Sequence, residues 1–188
     1  PPGAVRATMG VSPGWGGVYR AADYGNISYD PANHAQMVHD RAAKIAGIVQ
    51  DIDDLTVDDP SGRADVLVIG WGSTFGPITA AVRRVRDRGD AIAQAHLRHI
   101  NPFPANLGEV LHRYRRVVLP EMNTGQLAML LRSRFLVDVR SVTRVRGIPI
   151  SPVDLCEVLC GYCEETTGAT PAAPQGTSTS DITSKEAR

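Results

Sequence analysis

The sequence has few cysteines, no excess of either charge and no long apolar run. Its three cysteines all lie between residues 156 and 163, which is no disulfide framework for a small secreted domain. Lysine plus arginine and aspartate plus glutamate both total 20, so the net charge gives no sign of a nucleic-acid or anionic-membrane ligand. No stretch approaches the roughly 18–20 apolar residues of a membrane span, and no basic segment leads into a signal-peptide core. These absences favour a protein of the reducing cytoplasm, with neither nucleic acid nor membrane as a partner.

The first thirty residues have the composition of an irregular segment and lack the pattern of a domain's first helix or strand. Residues 1–30 are rich in glycine, proline and tyrosine, have no apolar period, and begin without methionine. A domain rarely starts with so long a structureless segment. We therefore expect residues 1–30 to be the irregular tail of a domain that lies upstream.

Residues 31–61 predict an amphipathic helix followed by a linker. Asp30 and Pro31 suit a helix start, with aspartate as the cap and proline at the first helical position. Apolar side chains then recur at spacings of three and four, which predicts a helix of about 20 residues. They are Met37, Val38, Ile45, Ile48, Val49 and Ile52. The acidic stretch after residue 51, which ends in Pro-Ser-Gly, is typical of a linker.

Residues 62–164 alternate between strand and helix patterns. Residues 66–70 form a continuous β-branched and aliphatic run, typical of a strand buried on both faces. Further strands are predicted at 91–97, 116–120 and 137–145, and helices at 77–88, 107–114, 125–135 and 153–163. This order predicts an α/β fold of three layers, a mostly parallel sheet with helices on both faces. Residues 165–188 lack the apolar surface needed to offset ordering entropy, so we predict a disordered tail.

A glycine-rich turn joins the first predicted strand to the helix after it. Backbone N–H groups at such a turn favour a phosphate. However, the spacing at residues 70–76 is one residue longer than the dinucleotide fingerprint, and no acid follows the second strand to hold a ribose. Arg98 could face a 2′-phosphate, so a free-standing NADP-binding module is an alternative. The glycines equally suit a tight turn.

Polar side chains follow three of the predicted parallel strands. Carboxyl ends of parallel strands meet at one edge of a sheet, so we expect these side chains to gather there as an interface or sheet-edge site. They are Ser73, Thr74, Arg98, His99, Asn101, Glu121, Asn123 and Gln126. A polar loop is an open alternative, and so is acid–base chemistry or a ligand contact by Glu121 or Asn123. Beside His96 and His99 no third metal ligand stands out, so no metal site is predicted.

The three cysteines have a spacing with two interpretations. Cys156, Cys160 and Cys163 match the three-cysteine loop of iron–sulfur radical enzymes. The same spacing lies on one face of a helix, and the residues around the cysteines continue a helical pattern. Buried cysteine is a common small hydrophobe, which favours packing over a cluster.

Three blocks of sequence carry a family resemblance. Residues 72–76 (GSTFG), 97–104 (LRHINPFP) and 119–132 (LPEMNTGQLAMLLR) follow one another in order. They resemble the alpha subunit of 2-oxoacid:ferredoxin oxidoreductases, close to the 2-oxoglutarate branch, most strongly over residues 62–150. The resemblance implies a domain like the carboxyl-terminal domain of transketolase. It also implies that residues 1–30 end a thiamine pyrimidine-binding domain, and it carries over no catalytic residue.

The resemblance also implies what the parent complex does. Enzymes of this family decarboxylate a 2-oxoacid on thiamine diphosphate with Mg, pass electrons through iron–sulfur clusters to ferredoxin, and form an acyl-CoA from coenzyme A. It implies a beta subunit as partner, with ferredoxin reached through the complex. The pyrimidine-binding part lies outside these 188 residues, and residues 21–25 (AADYG) replace a family stretch that contains histidine. We therefore expect this segment to bind no cofactor, to be inactive alone, and to serve structure and subunit assembly.

Overall fold

The computed structural model describes residues 19–20 and 27–168. Two short strands, β1 (Tyr19–Arg20) and β2 (Ile27–Ser28), pair antiparallel. Most of the segment predicted to be irregular, and nearly all of the predicted tail, lie outside the described residues.

The first helix, α1 (Pro31–Gly47), begins where the sequence predicts. The carboxylate of Asp30 accepts the backbone N–H of Ala32 at 3.0 Å, which caps the helix ahead of its initial proline. A 3₁₀ turn, Ile48–Asp51, continues it. Of the helix residues only Met37 is buried, and on the same helix Val38 is 49% and Ile45 40% exposed.

Five strands form the main sheet in the order β3-β5-β4-β6-β7. They are β3 (Val57–Asp58), β4 (Val66–Trp71), β5 (Ile92–Leu97), β6 (Arg116–Glu121) and β7 (Val139–Thr143). Strands β4 to β7 run parallel, and β3 pairs antiparallel with β5 at one edge. The prediction of a linker at residues 51–61 missed β3, because two residues that include an aspartate give no strand pattern.

Four helices cover the sheet on both faces and confirm the three-layer α/β prediction. They are α2 (Phe75–Asp87), α3 (Leu107–Arg113), α4 (Gln126–Phe135) and α5 (Pro152–Gly168). Alternate strand residues enter two separate cores, so Leu67 and Ile69 pack with α3 and α4 while Val66 and Val68 pack with α2 and α5. Among the described residues, no helix has both the length and the apolar character required to cross a membrane.

The last helix is longer than predicted. It extends to Gly168, so the expected end at residue 163 and the expected disorder of residues 165–168 are wrong. Arg115 Nη1 donates to the carbonyl of Thr166 at 3.0 Å, and Arg116 pairs with Glu165 at 3.5 Å. Cations near a helix C-terminus satisfy its free carbonyls and oppose its dipole, so these contacts with the sheet hold the final turns.

Candidate functional site at the carboxyl edge of the sheet

The carboxyl ends of the four parallel strands lie at one level. Trp71 is opposite Leu97, and Glu121 is opposite Thr143. The register of β4 on β6, continued along both strands, brings Trp71 level with Glu121. The connections that follow these four strands therefore form one surface, which we call the carboxyl edge.

The turn after β4 is built for close packing. A Cβ at Gly70 would lie 2.6 Å from Ile78 Cδ1, so only glycine fits there without movement. Thr74 is buried; its hydroxyl donates to the carbonyl of Trp71 at 2.7 Å and accepts the N–H of the same residue at 3.1 Å. The expectation that Thr74 belongs to a surface site is therefore wrong. Ser73 is exposed at this edge, with its Oγ 3.9 Å from Met122 Sδ.

The structure also contradicts the expectation that Glu121 belongs to a surface site. Its side chain is fully buried, and its carboxylate accepts the N–H groups of Leu127 at 3.1 Å and Ala128 at 3.2 Å. Ser141 Oγ lies 3.5 Å from the same carboxylate. The first N–H groups of a helix have no partner within the helix, and the positive end of its dipole attracts a carboxylate. Glu121 thus caps α4 from inside the core, where acid–base chemistry on a ligand is out of reach.

Asn123 and Gln126 shape the turn between β6 and α4. Asn123 Oδ1 accepts the N–H of Gly125 at 2.8 Å, and Gln126 Oε1 accepts the N–H of Thr124 at 3.1 Å. Gly125 has φ 97°, a conformation that glycine adopts at little cost. Asn123 is half-buried and Gln126 exposed, so both remain part of the carboxyl edge.

The connection after β5 contributes the charged part of the edge. Arg98, His99 and Asn101 are all exposed, and the peptide bond between Asn101 and Pro102 is cis. Within the described part of the chain, Arg98 and His99 have neither a hydrogen bond nor an ion pair. Their polar groups are available to a partner at this edge.

His96 lies just below that connection. Its ring packs edge-on against Phe75, with 5.1 Å between ring centroids. Burial lowers the pKa of His96, and the charge of Arg98 lowers it further against the opposing effect of the Gly72 backbone. The imidazole is therefore neutral at pH 7. With Thr56 and Arg98 it lines two shallow clefts of about 500 and 350 Å³.

The cysteines lie in the core between α2 and α5, as the packing interpretation predicts. All three are buried, and Arg88 Nη1 lies 3.2 Å from Cys160 Sγ. Burial raises the pKa of the Cys163 thiol to about 12. In residues 19–20 and 27–168, no group of three or more histidine, cysteine or acidic side chains could hold a metal ion. The described residues thus do not fit an iron–sulfur cluster or the Mg that accompanies thiamine diphosphate.

The fold and this edge define a class of protein: a three-layer α/β domain whose distinctive surface is the carboxyl edge of its sheet. Comparison with known proteins narrows that class. Residues 64–155 match the family model described as "Pyruvate:ferredoxin oxidoreductase core domain II". Residues 64–155 belong to that family, and the chain is homologous to the alpha subunits of 2-oxoacid:ferredoxin oxidoreductases.

Three relatives illustrate the match. The chain is 57% identical over 145 residues to the 2-oxoglutarate oxidoreductase subunit KorA of Mycobacterium tuberculosis, covering 77% of this chain and 22% of the relative. It is 33% identical over 133 residues to 2-oxoacid:ferredoxin oxidoreductase 2, subunit alpha, of Aeropyrum pernix. That match covers 68% of this chain and 21% of the relative. A solved 2-oxoglutarate:ferredoxin oxidoreductase from Magnetococcus marinus, with 2-oxoglutarate, coenzyme A and succinyl-CoA bound, superposes with a TM-score of 0.70 at 26% identity. The superposition covers 86% of this chain and 28% of the solved chain.

The chain spans about a fifth of the length of the curated relatives it matches. The comparisons do not support the alternative of a free-standing NADP-binding module. The close contact at Gly70 and the hydroxyl bonds of Thr74 account for the glycine-rich turn as a packing device.

Proposed function

We propose that this chain is the carboxyl-terminal part of the alpha subunit of a 2-oxoglutarate:ferredoxin oxidoreductase. The observation that carries the proposal is the 57% identity over 145 residues to a 2-oxoglutarate oxidoreductase subunit. The solved structure with 2-oxoglutarate and succinyl-CoA bound supports the same substrate. Since the matched part is a minor share of each relative, the activity belongs to the parent complex.

The proposed reaction is an oxidative decarboxylation. 2-Oxoglutarate and coenzyme A give succinyl-CoA, carbon dioxide and a proton, and the two electrons released pass through iron–sulfur clusters to ferredoxin. Thiamine diphosphate with Mg, when bound elsewhere in the complex, supplies the stabilised carbanion chemistry of decarboxylation. We assign no step of that chemistry to the residues described in this structure.

The role proposed for this segment is assembly. The polar side chains that remain at the carboxyl edge contact the rest of the complex; five are exposed, Ser73, Arg98, His99, Asn101 and Gln126, and Asn123 is half-buried. The beta subunit is the proposed partner of the alpha subunit, and ferredoxin is reached through the complex. Three cysteines clustered on one helix, which form no disulfide framework, suit the reducing cytoplasm that we propose as the compartment.

The test uses the full alpha subunit expressed with the beta subunit beside it in the source genome. Anaerobically purified complex is assayed for ferredoxin reduction with coenzyme A and either 2-oxoglutarate or pyruvate. The proposal expects the two chains to copurify and 2-oxoglutarate to be the faster substrate. A pure complex that uses pyruvate faster would refute the substrate, and an alpha chain that purifies alone would refute the assignment to a complex.

A further inference from the structure

The larger of the two clefts beside His96 is a groove between helix α2 and the β3–β5 side of the sheet. Its volume of about 500 Å³ is within the range of small-molecule sites in proteins. The groove extends along β5 from Gln94 to Arg98, which lies just beyond the carboxyl end of that strand. Strand β5 forms its floor, α2 with Phe75 forms one wall, and β3 with Asp58 forms the other. We call this cleft the α2–β5 groove.

The β3 wall of the groove is fixed in place by Arg86 of α2. Its guanidinium pairs with the Asp58 carboxylate at 2.8 Å and donates to the Asp58 carbonyl at 2.7 Å. The same side chain donates to the carbonyl of Ile92 on β5 at 3.1 Å. Asp58 is opposite Gln94 in the β3–β5 pairing, so these bonds join both walls and the floor at one level. The walls of the groove are therefore set by the fold before any ligand binds.

Gln94 presents a free hydrogen-bond acceptor on the floor of the groove. The residue is only 6% exposed, and its Nε2 donates to Thr79 Oγ1 at 2.7 Å. Its Oε1 has no hydrogen-bond partner among the described residues, yet this oxygen keeps some accessible surface in the groove. Buried polar groups are nearly always hydrogen-bonded. The floor therefore favours a ligand that brings an O–H or N–H donor to Gln94.

An aromatic corner lies farther along the groove. Phe75 is 53% exposed, and its ring meets the His96 ring at an angle of 73°. His96 Nδ1 is buried against the β4–α2 turn, so the groove receives the other side of this neutral imidazole. Aromatic rings pack favourably against one another in edge-on or offset arrangements. This part of the groove therefore fits a flat ring.

The end of the groove nearest the carboxyl edge is positive. Arg98 is exposed there and has no ion pair within the described part of the chain. Phe75 is the first residue of α2, so the positive end of that helix dipole lies at the same end. The aspartates at positions 51, 53 and 54 line the smaller neighbouring cleft, not this one. A planar guanidinium matches a carboxylate with two parallel hydrogen bonds.

We propose that the α2–β5 groove binds a small aromatic carboxylate that carries a hydrogen-bond donor opposite its acid group. The carboxylate pairs with Arg98, the ring packs against Phe75, and the donor reaches Gln94 Oε1. Four residues of extended strand place the Cα atoms of Gln94 and Arg98 roughly 13 Å apart, and their side chains reach inward to a single substituted ring. Arg98 also belongs to the proposed assembly surface, and its five N–H donors suffice for both contacts. The site goes beyond the proposed function, because it assigns this domain a ligand of its own.

Calorimetric titration of the full alpha subunit, purified with its beta subunit, tests the site. The probe is 4-hydroxybenzoate, which combines the acid, the ring and the donor. We expect saturable binding with a Kd of about 1 mM or below. Arg98→Gln should raise the Kd about tenfold and Phe75→Leu about threefold. Both residues are exposed, so these variants should fold, and Arg113→Gln on α3, outside the groove, is the matched control and should leave the Kd unchanged.

Two simpler ligands assign the contacts one at a time. Benzoate lacks the donor and should bind more weakly than 4-hydroxybenzoate, and Gln94→Met should remove that difference. 4-Hydroxybenzyl alcohol lacks the charge and should bind the Arg98→Gln variant and the unaltered complex equally. Absence of saturable binding in the millimolar range would overturn the proposal, and so would binding that Arg98→Gln and Phe75→Leu leave unchanged. These surface variants decide the matter even if Gln94→Met fails to fold. Binding needs no turnover, so its failure is distinguishable from a failure of the proposed reaction.

Discussion

The carboxylate of Glu121, at the end of β6, accepts the backbone N–H of Leu127 in the first turn of α4 at 3.1 Å. This bond ties the third parallel strand to the helix that follows it, and a second bond to Ala128 strengthens the tie. Six of the candidate site residues lie between β5 and β7. Three of them form hydrogen bonds within the β6–α4 turn or to the start of α4: Glu121, Asn123 and Gln126.

Replacing Glu121 by glutamine tests this cap. The amide keeps the shape of the carboxylate but turns one acceptor into a donor that faces a buried N–H group. We expect Glu121→Gln to lower the free energy of unfolding by about 1–3 kcal/mol. Urea unfolding measures the midpoint shift at unchanged slope. Glu109→Gln, on an exposed carboxylate in the first turn of α3, is the control and should shift stability by no more than about 0.5 kcal/mol. Equal effects of the two variants would contradict the cap.

Gly125→Ala tests the backbone of the same turn. Gly125 has φ 97°, and an added Cβ would lie 3.2 Å from Ser141 Oγ. Since a left-handed conformation is unfavourable for alanine, we expect a loss of about 1–2 kcal/mol in unfolding free energy. Gly76→Ala is the matched control, because Gly76 lies in helix α2 with nothing within 4 Å of the new Cβ. Thermal melts should show the control unchanged or stabilised, and a stabilised Gly125→Ala would refute the account of this turn.

The pH dependence of stability should report His96. Burial lowers the pKa of His96 below 6.5, so the folded chain binds fewer protons than the unfolded chain as pH falls through that region. The free energy of unfolding therefore decreases as pH drops from 6.5 through the folded pKa, and the contribution is fully present above 6.5. Urea midpoints between about pH 7.5 and 5.5 should fall less steeply for His96→Gln than for the unaltered chain. A variant with the same slope would show that another group is responsible.

Thiol reactivity tests the packing of the cysteines. Only the thiolate reacts with iodoacetamide, and burial raises the pKa of Cys163 to about 12 and that of Cys160 above its usual value. We expect the native chain at about pH 8 to remain unmodified while the unfolded chain takes up one label per cysteine. Mass spectrometry of intact protein distinguishes the two results. Fast labelling of Cys163 in the native chain would place that helix face in solvent, against the structure.

The main sheet was predictable because its strands have strong local patterns. The aliphatic run at residues 66–70 is a strand in any context that buries both faces, and β4 follows it closely. Strand β3 was not predictable, since its two residues gain their conformation only by pairing with β5. The final turn of α5 likewise depends on Arg115, which is 51 residues away in sequence.

The candidate site was predictable in position but not in detail. Strand order and parallel direction place the residues after each strand at one edge, and Arg98 and His99 lie there as expected. A polar residue at a strand end looks the same in sequence whether it faces a ligand or caps a helix. That is why Glu121 and Thr74 were misassigned to the surface. Phe75 was missed because a single aromatic residue at a helix start gives no sign of its exposure.

The central claim is that this domain is part of an oxidoreductase alpha subunit. It is tested by the molecular mass of the native chain and by the proteins that are recovered with it. An antibody against residues 62–150 is used to probe the source lysate under denaturing conditions and to recover the native protein for mass spectrometry. The account predicts a band far larger than the 20.2 kDa of these residues, recovered together with a beta subunit. A single band near 20.2 kDa without a partner would contradict it.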